Sequence, residues 1–303
     1  MPDALALLTI DIGIDPEIGE FWGLLLTWHG VFTALGIAAG VLLGVMVGRR
    51  LGFTEDDAYS IALVGIPCGI VGARALFVIE RWSDIVDDPV DIIRINEGGI
   101  AIYGAVLGGV LGGSIYCWLR KLPVRRMLDG ASIGIILGMG IGRIGDLING
   151  EHFSKLSDLP WAVRYTHLNS PSLVSHPLEE CIVLPGRSVQ DLCTQHPAVG
   201  YELVGDLLIL GLLFVVLRFA RRDGVTFFSF LLLYSLMRLG VSYLRLDSRE
   251  IIAGLSTPQV TALFLIPFAL AGLLYCWRQV SSPQGRPAAP RPAPVPAGGS
   301  GSG

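Results

Sequence analysis

The stretch GMGIGRIGDLINGEHF, residues 138–153, sets Arg143, Asp146, Asn149 and Glu151 at the end of a glycine-rich apolar run. Side chains three or four residues apart share a helix face, so Arg143 and Asp146 are placed to pair directly. A guanidinium offers a planar fork of N–H donors that matches phosphate oxygens, and anion binding is the chemistry an arginine in such surroundings performs best. Arg74, Arg238 and Arg245 also stand within apolar runs, and Glu202, Asp206, Tyr103 and His29 occupy comparable places. No metal-ligand spacing, phosphate loop or serine-centred elbow is present in the sequence, so neither a metal nor a cofactor is expected.

The elements that position these residues must be membrane helices. Of the 303 residues, 52% are hydrophobic and only 16% charged, against about a quarter charged in soluble domains. The net charge of −4 argues against a nucleic-acid partner. Charge-poor runs at about 21–48, 58–80, 98–119, 129–149, 198–217, 224–245 and 251–277 predict seven transmembrane helices, since a bilayer core takes roughly 20 apolar residues per helix. The fold class expected is therefore all-α and polytopic, with residues 1–280 as one membrane domain. Residues 281–303, rich in Pro, Ala and Gly, are expected to form a disordered cytoplasmic tail. The first twenty residues lack a basic start, so no cleavable signal peptide is expected. With the N-terminus outside and the C-terminus cytoplasmic, the inner connections carry twelve Lys and Arg and the longer outer ones six. The largest outer loop runs from about 150 to 199 and contains Cys181 and Cys193, either a disulfide or two free thiols. Cys68, Cys117 and Cys276 fall within spans as small packing residues. Glycines four apart (36, 40, 44, 48; 104, 108, 112; 134, 138, 142) predict helices that approach backbone to backbone.

Depth follows from the rise of 1.5 Å per helical residue. Counted from the inner ends of their spans, Arg143 and Arg238 both lie about 21 Å across. Glu202 and Asp206 lie at about 24 and 18 Å, Arg74 and Tyr103 at about 25 Å, and His29 at about 30 Å. With a hydrocarbon core about 30 Å thick, polar residues from six spans meet in one layer near the outer headgroups. Charges at such depth face a bundle interior or an aqueous cavity. One reading is a set of self-contained ion pairs, with Glu202 partnered by Arg143, Arg238 or Arg74. The other is a site for the phosphate of an anionic phospholipid whose tails stay in the bilayer.

These residues resemble a known family. GRIGDLINGEHF resembles the signature Gly-Arg-x-x-Asn-x-x-Asn-x-Glu of the prolipoprotein diacylglyceryl transferases. GARALFVIE (72–80), EGGIAIYGAVLGG (97–109), HPAVGYE (196–202), FLLLYSLMRLGVSYLRLD (230–247) and GLSTPQ (254–259) resemble further elements of that family in the expected order. The resemblance covers about residues 21–277 and implies seven spans in a bacterial inner membrane. Arg74, Arg143, Asn149, Glu151, His196, Tyr201, Glu202 and Arg238 keep the pattern. Asp146 stands where the family has Asn, Ser154 where it has Gly, Ser242 where it commonly has Glu, His29 where Tyr is usual and Tyr103 where His is frequent.

The resemblance implies transfer of the diacylglyceryl group of phosphatidylglycerol to the lipobox cysteine of a prolipoprotein. Arg143, with Arg238 second, would hold the leaving phosphate. A thiol of pKa about 8.5 needs a base: Tyr103 is the third-span candidate, and His29 is the alternative from the first. Glu151 would order an arginine or bond the glycerol hydroxyls, and Arg74, His29, Asp146, Asn149, Tyr201 and Glu202 would line the substrate. Asp146, three residues from Arg143, would partly neutralise that cation. Two other readings use the same arginines: a non-catalytic lipid-binding homologue and an anionic-solute transporter.

Overall fold

The computed structural model describes residues 9–21, 24–85, 89–92, 102–172, 194–247, 250–252 and 254–279. Cys181, Cys193 and the tail 281–303 lie outside the described residues. Seven long helices match the seven apolar runs: α1 (Trp28–Arg50), α2 (Glu55–Glu80), α3 (Ile102–Leu119), α4 (Val124–Asn149), α5 (Ala198–Phe219), α6 (Val225–Ser242) and α7 (Thr257–Arg278). Six of them are long and apolar enough to cross a bilayer, whereas α3 is shorter, apolar over Gly104–Leu119. The helices turn large apolar side chains outward along their length: Leu63 on α2, Leu107 on α3, Leu208 on α5 and, at 73% exposure, Phe264 on α7. An apolar surface of that extent is stable against lipid, and the molecule is a polytopic helical membrane protein.

The ends of the runs differ from the simplest helical reading. Leu24–Thr27 belongs to a strand, β3, paired antiparallel with β2 (Glu17–Phe21). Hydropathy alone does not separate this short apolar strand from the helix it precedes. Helix α1 begins where the Thr27 hydroxyl accepts from Gly30 N–H at 3.2 Å. Two more strand pairs are small: β1 (Ile10–Ile12) runs parallel to β4 (Val163–Tyr165), and β5 (Glu250–Ile252) is antiparallel to β6 (Leu255–Ser256).

Inside the bundle, the glycine stripes do what their spacing predicts. A Cβ on Gly40 would stand 2.6 Å from Gly134 O, and one on Gly36 would stand 2.5 Å from Gly138 O. Helices α2 and α3 meet the same way, with Gly72 against Gly104 O and Gly108 against Cys68 O. Gly44 and Gly142 fall outside these closest approaches. An apolar core of Val47, Leu51, Met127, Ile133, Ile136, Leu213, Phe227 and Phe230 joins α1, α4, α5 and α6. One end of the bundle is pinned by Asp129 of α4, whose carboxylate accepts from Gly224 N–H at 2.6 Å and Phe227 N–H at 2.8 Å. It caps the start of α6 from a neighbouring helix, because Gly224 has no side chain to do so. Of the polar residues singled out above, His29, Arg143, Asp146, Asn149, Glu151, Glu202, Arg238 and Arg245 gather at the other end.

Candidate active site

At that end α1 and α4 come into backbone contact. A Cβ on Gly145 would stand 2.8 Å from His29 Cα and 2.9 Å from Trp28 O. This approach brings His29 Nδ1 within 2.5 Å of Asp146 Oδ1. An ionised carboxylate can only accept, so Nδ1 carries a proton, and in the neutral ring the lone pair is on Nε2. Glu151 Oε2 is 3.6 Å from the same Nδ1, while its Oε1 accepts from Asn149 Nδ2 at 2.8 Å. His29, Asp146 and Glu151 are close enough to share a cation. Arg143 already holds the other oxygen of Asp146, donating from Nη1 to Oδ2 at 2.9 Å, and a hydrogen-bonded cluster fits those contacts better than a metal centre.

Glu202, fully buried on the first turns of α5, is the hub of the cluster. Its carboxylate accepts from Arg143 Nη2 at 3.0 Å, from Arg245 Nη1 at 3.1 and 3.3 Å, and from Arg238 Nη1. Sequence depth names Arg143, Arg238 and Arg74 as partners for Glu202; the structure supplies the first two and adds Arg245. Arg245 also donates from Nε to Asp247 Oδ1 at 2.9 Å and from Nη2 to Asp247 Oδ2. His152 Nδ1 is 2.8 Å from that second oxygen, and its Nε2 lies 3.7 Å from Asp146 Oδ2. Burial alone would raise the Asp247 carboxyl, but hydrogen bonds from His152 and Arg245 outweigh it and hold the group well below the usual carboxylate range. Three guanidiniums therefore face three carboxylates and two imidazoles in a largely desolvated layer, where charge–charge terms are strongest.

The loop after α4 fastens this layer. Gly150 ends the helix in the left-handed region at φ 69°, where a Cβ would collide with Ser170 and Tyr165. The last carbonyls of α4 are met from the loop: Tyr165 Oη donates to Leu147 O at 2.8 Å, Ser170 Oγ to Asn149 O at 3.3 Å and Ser172 Oγ to Gly150 O at 2.6 Å. Burial, with Asp146 adding, pushes the Tyr165 hydroxyl well above its ordinary value, so it stays a neutral donor. Lys155 N–H donates to Leu244 O and Leu246 N–H to Phe153 O, which threads the chain around Arg245 against the loop. Gln195 Oε1 accepts from Ser154 N–H at 2.9 Å.

The other residues named from the sequence are placed as follows. Arg74 is buried on α2, with Nε donating to Ile92 O at 3.0 Å and its guanidinium over the Phe77 ring. Tyr201 accepts from Trp161 Nε1 at 2.8 Å and lies 3.5 Å from His196 Nδ1, beside the arginine cluster and not within its described bonds. Tyr103 is in the first turn of α3, and its side chain lies outside the described residues. Asp206 is fully buried, and neither carboxylate oxygen has a hydrogen-bond partner among the described residues. Arg245, Asp247 and His152 are the cluster members absent from the sequence-based site. Arg245 had a signal: it follows Arg238 by seven residues, two helical turns.

Lipid-facing helices around a buried arginine–carboxylate cluster at one end of the bundle define a multi-pass membrane protein with a charged centre. The chain belongs to the prolipoprotein diacylglyceryl transferase family, whose pattern it matches over residues 16–275. Proteins named phosphatidylglycerol–prolipoprotein diacylglyceryl transferase are similar to it in several bacteria. The one from Clostridium tetani is 32% identical over 251 residues, covering 83% of this chain and 93% of that protein. The one from Symbiobacterium thermophilum is 33% identical over 267 residues, 87% and 92% of the two chains. The one from Clostridioides difficile is 30% identical over 227 residues, 75% and 82%.

Proposed function

We propose that this protein transfers the diacylglyceryl group of phosphatidylglycerol to the lipobox cysteine thiol of prolipoproteins, the first step of bacterial lipoprotein maturation. The observation that supports it most directly is the set of three arginines converging on Glu202 in a chain of this family. In the reaction, the cysteine sulfur bonds to the glyceryl carbon, the carbon–oxygen bond to phosphate breaks, and glycerol phosphate leaves with one more negative charge than the diester carried. Fixed cations in a dry site favour the charge that appears during that step. Arg143 and Arg238 are the residues for this role. Glu202 itself is sealed from substrate and holds their guanidiniums in place, so little reorganisation is left for the reaction. Asp146 occupies one nitrogen of Arg143, as the sequence anticipates, and tempers its pull on the substrate's single ground-state charge.

In this reading Glu151, which accepts from Asn149, bonds the glycerol hydroxyls, and Arg74, Tyr201 and Tyr103 bind the rest of the substrate. All seven helices cross the membrane in this reading. The N-terminus and the cluster face outward, in keeping with twelve Lys and Arg on the inner connections against six on the outer. The membrane is the bacterial inner membrane.

The test is release of glycerol phosphate from headgroup-labelled phosphatidylglycerol in nanodiscs, with and without a lipobox peptide. Peptide-dependent release is the expected result. Lipid retained intact would favour a binding protein, and flux of an anionic solute without covalent change would favour a transporter.

A further inference from the structure

We infer that His29, oriented by Asp146, is the general base that takes the proton from the acceptor cysteine. The inference rests on the transferase reading above and supplies the group that reading lacks.

Three observations carry it. First, Asp146 fixes the tautomer. With Nδ1–H committed to Asp146 Oδ1 at 2.5 Å, the basic lone pair of His29 is on Nε2. Second, the ring is the most exposed part of the cluster, ahead of Glu151 at 33% and His152 at 25%. The His29 side chain is 40% exposed, against 6% for Asp146 and 8% for Arg143. A peptide thiol arriving at this end of the bundle meets imidazole before it meets any arginine. Third, His29 and Asp146 are both departures from the sequence pattern described above, and they touch each other. Glu151, also accessible, is the weaker base: a carboxylate is by its chemistry far less basic than an imidazole, and the imidazole is the closer match to a thiol.

The step balances within the site. The thiol proton moves to His29 Nε2, and the thiolate displaces phosphate oxygen at the glyceryl carbon. The imidazolium then returns the proton to the departing glycerol phosphate. Asp146 does not touch substrate and is a positioning residue; it stabilises the imidazolium as it forms. Among the described residues, the charged groups facing His29 are Asp146, Arg143 and Glu151, with His152 on the far oxygen of Asp146.

The test is the pH–rate profile of peptide transfer by the full chain in phosphatidylglycerol nanodiscs, for wild type, His29→Gln and Asp146→Asn, with thermal unfolding of each recorded alongside. His29→Gln is expected to lose about 10²–10⁴-fold at neutral pH. Its rate should then climb with pH as the thiol ionises itself near 8.5, so that the deficit narrows in alkali. Asp146→Asn should lose less and shift the acid limb. Added imidazole should partly restore His29→Ala. A His29→Gln profile parallel to wild type, whether at full rate or uniformly reduced, overturns the proposal, as does an acid limb that vanishes only in Tyr103→Phe. Absence of transfer by wild type overturns the transferase reading and this inference together, whereas normal wild-type transfer with a parallel variant profile overturns the inference alone.

Discussion

Glu202 shows what a single buried residue does here. Its carboxylate is shared by Arg143, Arg238 and Arg245, and it is fully buried. Removing its charge leaves three guanidiniums without a common counter-ion in a low-dielectric layer, and breaking a buried ion pair in this way costs about 3–5 kcal/mol. Glu202→Gln should therefore lower the thermal midpoint in detergent sharply, whereas an exposed pair such as Arg49–Glu55, broken by Glu55→Gln, should move it little. Asp247 adds a pH signature. Its folded carboxyl lies below the ordinary value of about 3.9, so its stabilisation is complete above that value and is lost as the pH falls toward the folded value. The difference in thermal midpoint between wild type and Asp247→Asn should be constant from pH 8 to 5 and should shrink below about pH 4. Depth counting made Arg143, Arg238 and Glu202 legible as one layer. It did not place Arg245 in that layer: Arg245 closes the apolar run 224–245, and in the structure it lies beyond α6, which ends at Ser242. The turn that follows is shaped by bonds to Phe153 and Lys155 some ninety residues earlier, and no local periodicity encodes such a pairing.

At the scale of elements, the glycine stripes state in sequence which faces are thin but not which face meets which. Four-residue spacing marks α1, α3 and α4 alike, and only the structure pairs α1 with α4 and α2 with α3. Gly40 and Gly44 separate the effect of contact from that of helix propensity. A Cβ at Gly40 would press on Gly134 O at 2.6 Å, while one at Gly44 meets nothing within 4 Å. Gly40→Ala should destabilise by about 1–3 kcal/mol, and Gly44→Ala should be neutral or slightly stabilising, as read by detergent unfolding. Because the α1–α4 contact also sets His29 against Asp146, Gly40→Ala should reduce transfer along with stability. The strand pairs flanking α1 and α7 escape a hydropathy reading for a different reason. Leu24–Leu26 is as apolar as the helix it precedes, and the Thr27 cap alone marks the change.

At the scale of the whole molecule, an apolar exterior holds a charged interior at one end. Outward-facing Leu, Phe and Trp, such as Trp277 at 75% exposure, belong against acyl chains, and the arginine cluster lies near the ends of α1, α4, α5 and α6. A phospholipid is the ligand class that suits both at once, with tails in the bilayer and phosphate on the cations. The direct test of that account is the mass of a lipobox peptide after incubation with the protein in phosphatidylglycerol nanodiscs, for wild type beside Arg143→Ala and Arg238→Ala. A diacylglyceryl mass gain with wild type, reduced by at least tenfold in both variants while folding is retained, is the result predicted. An unchanged peptide with folded wild type, or undiminished gain in both arginine variants, would contradict it.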